Sequence, residues 1–273
     1  MPKYGSVGVS DTTFVKHQMI DVLLRFLMRV ARSNINKLGG QFRIFDLYAG
    51  SGTYSKEKNG QLLDSGYRGS PLIAAEIAEK EIPGNWTYTG YEIDNTAAQV
   101  LSVNMSKYPE RTSVFHGLYQ DFLHDHISQI SGYAPGVILG DPNALMDYSY
   151  LQEVSKLPKL NRIDVVLHIP FTAAKRVAPT DGTLNLDTDC SPLETDLRAI
   201  NKRHIFISEP QGTNQWTCLV LTNWDRFPND VWDFRNITTE KGLKRLKRVC
   251  LTKEQYDQWL YQYEGNRPLF EGW

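Results

Sequence analysis

The chain has 273 residues, 41% hydrophobic and 22% charged, with 20 glycines, 13 prolines and a formal net charge of −1. That balance excludes collagen-like, low-complexity and extensively disordered chains, and the near-neutral charge denies the protein any global attraction to nucleic acid. From Thr12 to about Ser33, Phe14, Met19, Val22, Leu23, Phe26, Leu27 and Val30 recur at helical spacing with Lys16, Arg25, Arg29 and Arg32 between them. This predicts an amphipathic helix capped by Asp11 or Thr12. Gly39 and Gly40 then punctuate the chain before residues 42–48, which read as a buried strand leading into Ala49-Gly50-Ser51-Gly52. Residues 60–69 read as a loop, and Ser70-Pro71 has the form of an N-cap followed by proline at the first helical position. The helix over 72–80 is followed by strand 86–93, helix 95–107, strand 112–116, helix 120–130, strand 136–139, helix 148–157 and strand 163–169.

Alternating strands and helices call for a parallel sheet covered on both faces. Residues 205–208 and 216–222 are strand-like runs too close for a helical crossover, so the sheet should end in an antiparallel hairpin. The expected fold is α/β, a doubly wound Rossmann-like sheet, mostly parallel with a C-terminal antiparallel hairpin and flanked by N- and C-terminal helices. One domain over 1–273 is expected: an N-terminal helix in 1–41, the core sheet in 42–224 and a helical extension in 225–273.

Four segments carry chemistry. In Asp46-Leu47-Tyr48-Ala49-Gly50-Ser51-Gly52 a strand ends in a glycine turn, where the backbone can pass close to a ligand and Asp46 can accept hydrogen bonds. It is no dinucleotide fingerprint, because Ser55 stands where that motif has Gly or Ala and no helix follows at once. Glu92-Ile93-Asp94 ends the next strand; Glu92 suits the two hydroxyls of a ribose and Asp94 suits a helix N-cap. Asp121-Phe122 offers an acceptor for an adenine amino group and an apolar wall, or else is plain surface. Asp141-Pro142-Asn143 lies at the carboxyl edge of the fourth strand, where it is either a ligand-facing segment or a simple turn.

In this order, each after a successive strand, the four resemble the motifs of class I S-adenosylmethionine-dependent methyltransferases. More narrowly, Lys16 on the first helix, residues 46–55 and Gly69-Ser70-Pro71-Leu72-Ile73 look like the three-Cys-motif partner (TcmP) proteins. The resemblance implies a methyltransferase-like fold with S-adenosylmethionine held by Asp46, Tyr48, Ala49, Gly50, Ser51, Gly52, Glu92, Ile93, Asp121, Phe122 and Asp141. It also implies a reacting segment of Asp141, Pro142 and Asn143. Ala144 departs from the aromatic that ends a DPPY-like tetrapeptide, so a stacking ring would have to come from Tyr148 or Tyr150. His168 and Glu209 join Asp141 as candidate proton acceptors.

Lys56, Lys58 and Arg68 lie in the segment after the turn, which reads as a lid or substrate-binding element. The basic runs Lys202-Arg203-His204 and Lys241, Lys244, Arg245, Lys247, Arg248 read either as solvated faces or, with that lid, as a phosphate cradle. The reading expected is methyl transfer to DNA or RNA; the alternative is a methyltransferase-like partner protein acting through protein contacts. Cys190, Cys218 and Cys250 form no CxxC pair, so passive thiols, no metal site and a reducing cytoplasmic setting are expected. With no signal-like start and no long apolar run, a chain neither secreted nor membrane-spanning is expected.

Overall fold

The computed structural model describes residues 11–58, 61–142, 146–176, 192–211, 216–225, 227 and 232–265, and the side chains of all of these except 11, 12, 55–66 and 176. The chain divides into two units, Met1–Asp141 with Leu157–Leu167, and Pro142–Lys156 with His168–Trp273.

In the first unit, the predicted amphipathic helix is α1 (Asp11–Leu38), which runs five residues past its expected end to the Gly39-Gly40 pair. Its apolar stripe, Met19, Leu23, Leu24, Leu27, Met28, Ala31 and Ile35, is buried. After β1 (Phe42–Asp46) come β2 (Thr53–Lys58) and β3 (Gln61–Arg68), an antiparallel pair, so the segment expected to be a loop is a hairpin. α2 (Ser70–Glu81) lies against α1, with the buried Glu81 carboxylate accepting from Arg29 Nε at 2.9 Å and Nη2 at 2.8 Å.

β4 (Trp86–Glu92), α3 (Asn95–Met105), β5 (Thr112–His116), α4 (Leu123–Ser128), β6 (Gly136–Gly140) and β7 (Ile163–Pro170) continue the alternation. β1 sits between β4 and β6, with β5 beyond β4 and β7 beyond β6, every pair parallel. Phe42, Ile44, Trp86, Tyr88 and Val137 are almost completely buried, as helix-covered parallel strands require. The helix expected over 120–130 is instead a 3-10 turn (Tyr119–Asp121) followed by the six-residue α4.

β7 passes from the first unit into the second. There α5 (Tyr148–Val154), α6 (Phe171–Arg176) and α7 (Pro192–Ala199) precede β8 (His204–Ile207) and β9 (Trp216–Thr222), the antiparallel pair expected at the end of the sheet. β10 (Arg235–Asn236) adds to β8. α8 (Glu240–Cys250) and α9 (Lys253–Gly265) pack through Leu251 and Trp259. Among the described residues the main sheet reads β10-β8-β9-β7-β6-β1-β4-β5, the mixed doubly wound α/β architecture expected.

Candidate functional site

Beyond β1 the chain stays pinned between its neighbours, the Leu47 N–H donating to Leu139 O at 2.9 Å and the Ala49 N–H to Tyr91 O at 3.1 Å. The turn follows, with Gly50 at φ +59° and Gly52 at φ +78°. A Cβ on Gly50 would meet nothing within 4 Å, so the backbone there faces open space. Gly52 is held from behind: its carbonyl accepts from the Gly69 N–H at 2.7 Å, and a Cβ on Gly69 would stand 3.2 Å from the Gly52 backbone. Asn104 Nδ2 donates to Ser51 O at 2.9 Å and fixes the middle of the turn.

Two acids that look alike in sequence differ in environment. Asp46 is 2% exposed, and its carboxylate accepts from Ser70 Oγ at 3.0 Å, Tyr88 Oη at 3.2 Å and the Tyr48 N–H at 3.4 Å. Burial pushes its pKa up to about 6 against those hydrogen bonds. It ties the turn to α2 and β4. Ser70, expected as the N-cap, is thus the first helical residue with its hydroxyl turned to Asp46, and Gly69 is the cap.

Glu92 is only half-buried, and its two oxygens accept from the Gly50 N–H and the Asp94 N–H, both at 2.8 Å. The carboxylate therefore bridges the glycine turn and the end of β4 while keeping further lone pairs. Asp94 caps α3 as expected, accepting from the Ala97 N–H at 2.7 Å. Beside Glu92, Ile93 is 66% exposed and Leu118 47% exposed, two apolar side chains at the carboxyl edge of the sheet. Asp121 is exposed, and the Phe122 ring is stacked 6.4 Å from Tyr91. Tyr48 meets Tyr119 edge-on at 5.7 Å.

After β6, Asp141 Oδ1 accepts from Lys16 Nζ of α1 at 2.7 Å. The next residue of the helix, His17, has its Nε2 3.0 Å from Tyr54 Oη, the rings 5.3 Å apart. Burial holds the His17 pKa below the ordinary histidine value, so the ring is neutral at pH 7, while burial, Asp141 and Asp46 push the Tyr54 phenol up to about 12. Sequence reasoning singled out neither His17 nor Tyr54. A helix with apolar periodicity gave no reason to notice His17, and Tyr54 passed as one letter of a motif. The available signal was adjacency, His17 following Lys16 and Tyr54 closing the glycine turn.

Other expected site residues lie elsewhere. Arg68 pairs with Glu76 on the exposed face of α2. The Lys56 and Lys58 side chains, Asn143 and Cys190 fall outside the described residues. Pro142 and Tyr148 belong to the second unit, where Tyr148 is 5% exposed at the start of α5. His168 is buried with its ring edge-on to Trp216 at 5.2 Å, and Glu209 is taken by Arg245.

Four of the five cations of the α8 run are paired within their own unit, and the fifth, Arg248, is exposed. Lys241 meets Asp233 at 2.6 Å, Lys244 meets Glu264 at 2.9 Å, Arg245 meets Asp233 at 2.5 Å, and Lys247 meets the buried Glu194 at 2.8 Å. A cradle for phosphates built from these cations has no support. Cys218 and Cys250 are buried. Among the described residues there is no cluster of metal-ligating side chains, and no helix is long and apolar enough to cross a membrane.

No protein-family model matches the chain, and no curated protein matches it in sequence. Among solved structures, a Legionella pneumophila protein of the DUF519 family is similar over 77% of this chain and 88% of its own, at 14% identity and a TM-score of 0.49. The N-terminal domain of human METTL16 in complex with SAH is similar over 82% of this chain and 75% of its own, at 11% identity and a TM-score of 0.47. The bifunctional kinase-methyltransferase WbdD is similar over 80% of this chain and 42% of its own, at 12% identity and a TM-score of 0.43. These likenesses are distant.

Proposed function

We propose that the chain is an S-adenosylmethionine-dependent methyltransferase whose cofactor lies along the carboxyl edge of β1, β4 and β5. The observation that carries this reading is Glu92, an accessible carboxylate locked by the Gly50 and Asp94 amides beside a backbone turn that opens to free space. In this reading the turn Tyr48-Ala49-Gly50-Ser51-Gly52 passes beside the cofactor and Glu92 takes the ribose hydroxyls with its remaining lone pairs. Ile93, Leu118 and Phe122 cover the adenine, and Asp121 accepts from its amino group. Two exposed apolar side chains flanking a fixed carboxylate fit an adenosine better than a sugar or a free phosphate. Asp46 acts from behind, holding the turn.

The cofactor supplies an electrophilic methyl group; the protein aligns the acceptor and removes its proton. Asp141, held by Lys16, orients the acceptor nitrogen or oxygen. His17, neutral through burial and aligned by Tyr54, receives the proton. DNA or RNA is the proposed acceptor class on the motif resemblance alone, because four of the five cations of the α8 run are paired with the protein's own acids.

Calorimetric titration with S-adenosylmethionine and S-adenosylhomocysteine tests the pocket. Saturable binding is expected in the wild type, lost in Gly50→Arg and weakened roughly tenfold to a hundredfold in Glu92→Ala. Asp141→Ala should spare binding while abolishing transfer of labelled methyl groups to DNA or RNA. A folded wild type that binds neither compound would overturn the reading.

A further inference from the structure

The first unit has a second concave region, on the sheet face away from Ile44, Asp46 and Tyr88. Strands of a parallel sheet normally present aliphatic side chains on both faces, because helices cover both. Here three adjacent strands present polar ones: Arg43 stands opposite Thr87 in register, and Thr89 opposite Ser113. α4 is too short to cover them; its His126 packs on Phe115 with ring centroids 4.5 Å apart, toward the carboxyl end of the strands. What results is a pocket of about 270 Å³ lined by these groups together with Phe45, Gln129 and Ile130.

Arg43 defines its chemistry. One nitrogen, Nη1, donates to Thr87 Oγ1 at 3.0 Å. Its Nε is fully buried and has no acceptor among the described residues. No carboxylate among the described residues pairs with it, whereas Arg25, Arg29, Arg111, Arg198, Arg235 and Arg245 all have one. A guanidinium keeps its charge, and a half-buried one with no paired carboxylate among the described residues is unfavourable until an anion reaches its exposed edge. Neighbouring hydroxyls from Thr89 and Ser113 add donors that can rotate to a tetrahedral anion.

We infer that this pocket binds the phosphate group of a small phosphorylated molecule, with Arg43 as its anchor, at a site separate from the proposed cofactor edge. The inference does not depend on the methyltransferase reading.

Calorimetry and the Arg43 Nε–H signal in nitrogen-15 NMR test it on the full chain, with inorganic phosphate, glycerol 3-phosphate and citrate as probes. Phosphate or the monoester should bind saturably and move the Nε–H signal, with affinity falling about tenfold or more in Arg43→Met and in Ser113→Asp. Glu92→Ala should leave that binding intact. Tighter binding of the monoester than of phosphate identifies an organic ligand, and the reverse identifies the free anion. Where Arg43→Met fails to fold, Ser113→Asp, an exposed change that keeps the guanidinium, decides. Equal affinity in wild type and Ser113→Asp, preference for citrate, or an Nε–H signal that no probe moves would overturn the proposal.

Discussion

Asp46 and Glu92 both end a predicted strand with a carboxylate, and environment alone separates them. The first is sealed under Ser70 and Tyr88; the second stands at the rim with two amides on it. Because burial raises the Asp46 pKa from 3.8 to about 6, the folded state holds this proton more tightly than the unfolded chain does. Its contribution to stability is fully present below pH 3.8 and is lost as pH rises through 6, a change of roughly 3 kcal/mol. Asp46→Asn removes the titration. Urea unfolding of both proteins between pH 4 and 7 should show the wild type losing stability relative to the variant as pH rises; parallel curves would contradict the assigned pKa. Residues of this kind were half legible. Their positions followed from strand ends, but which acid faces solvent depends on Ser70 and Tyr88, 24 and 42 residues away in sequence.

At the scale of elements, the turn after β1 works because two glycines meet back to back. Gly69 has an ordinary extended backbone, so Gly69→Ala acts only through its approach to the Gly52 backbone, whereas Gly50→Ala meets open space and acts only through its positive φ. Each should cost about 1–2 kcal/mol in urea unfolding. Gly69→Ala should also shift the Gly52 amide signal, because its Cβ displaces that backbone. α8 gives a second case. Lys247 and Glu194 are 9% and 1% exposed, so Lys247→Met strands a carboxylate that Arg198 alone then meets. A loss of about 3 kcal/mol is expected, with Glu194→Gln on top recovering most of it. Full stability of Lys247→Met would place the pair among the weak surface ones.

The same elements show what sequence could and could not predict. Buried runs such as Gly136–Gly140 and Ile163–Pro170 declared themselves as strands through continuous apolar character. The hairpin of β2 and β3 did not, because Thr-Tyr-Ser-Lys-Glu-Lys lacks the alternation that marks a half-buried strand. α6, α7 and β10 hold too few residues for any period to emerge.

Across the whole molecule the carboxylates pull in opposite directions with pH, and the two units hold different sets. The second unit contains Glu194, lowered by Lys247 and Arg198 against its own burial, and Asp233, lowered to about 2 by Lys241 and Arg245. Stability from these groups is present above their unfolded values and disappears as pH falls through the folded ones. The first unit contains Glu81, lowered mainly by Arg29, but also Asp46, which gains on protonation between pH 6 and 3.8. Acidification from neutral pH therefore first strengthens the first unit, then weakens both, and weakens the second more. Hydrogen exchange followed by mass spectrometry, corrected for intrinsic rates, should show amides of β8, β9 and α8 losing protection at a higher pH than those of β1, β4 and β6. Asp46→Asn should narrow the gap between the units, since it cancels the opposing titration. Loss of protection in both units at one pH would instead mean that they open as a single cooperative body, with every carboxylate acting on the whole.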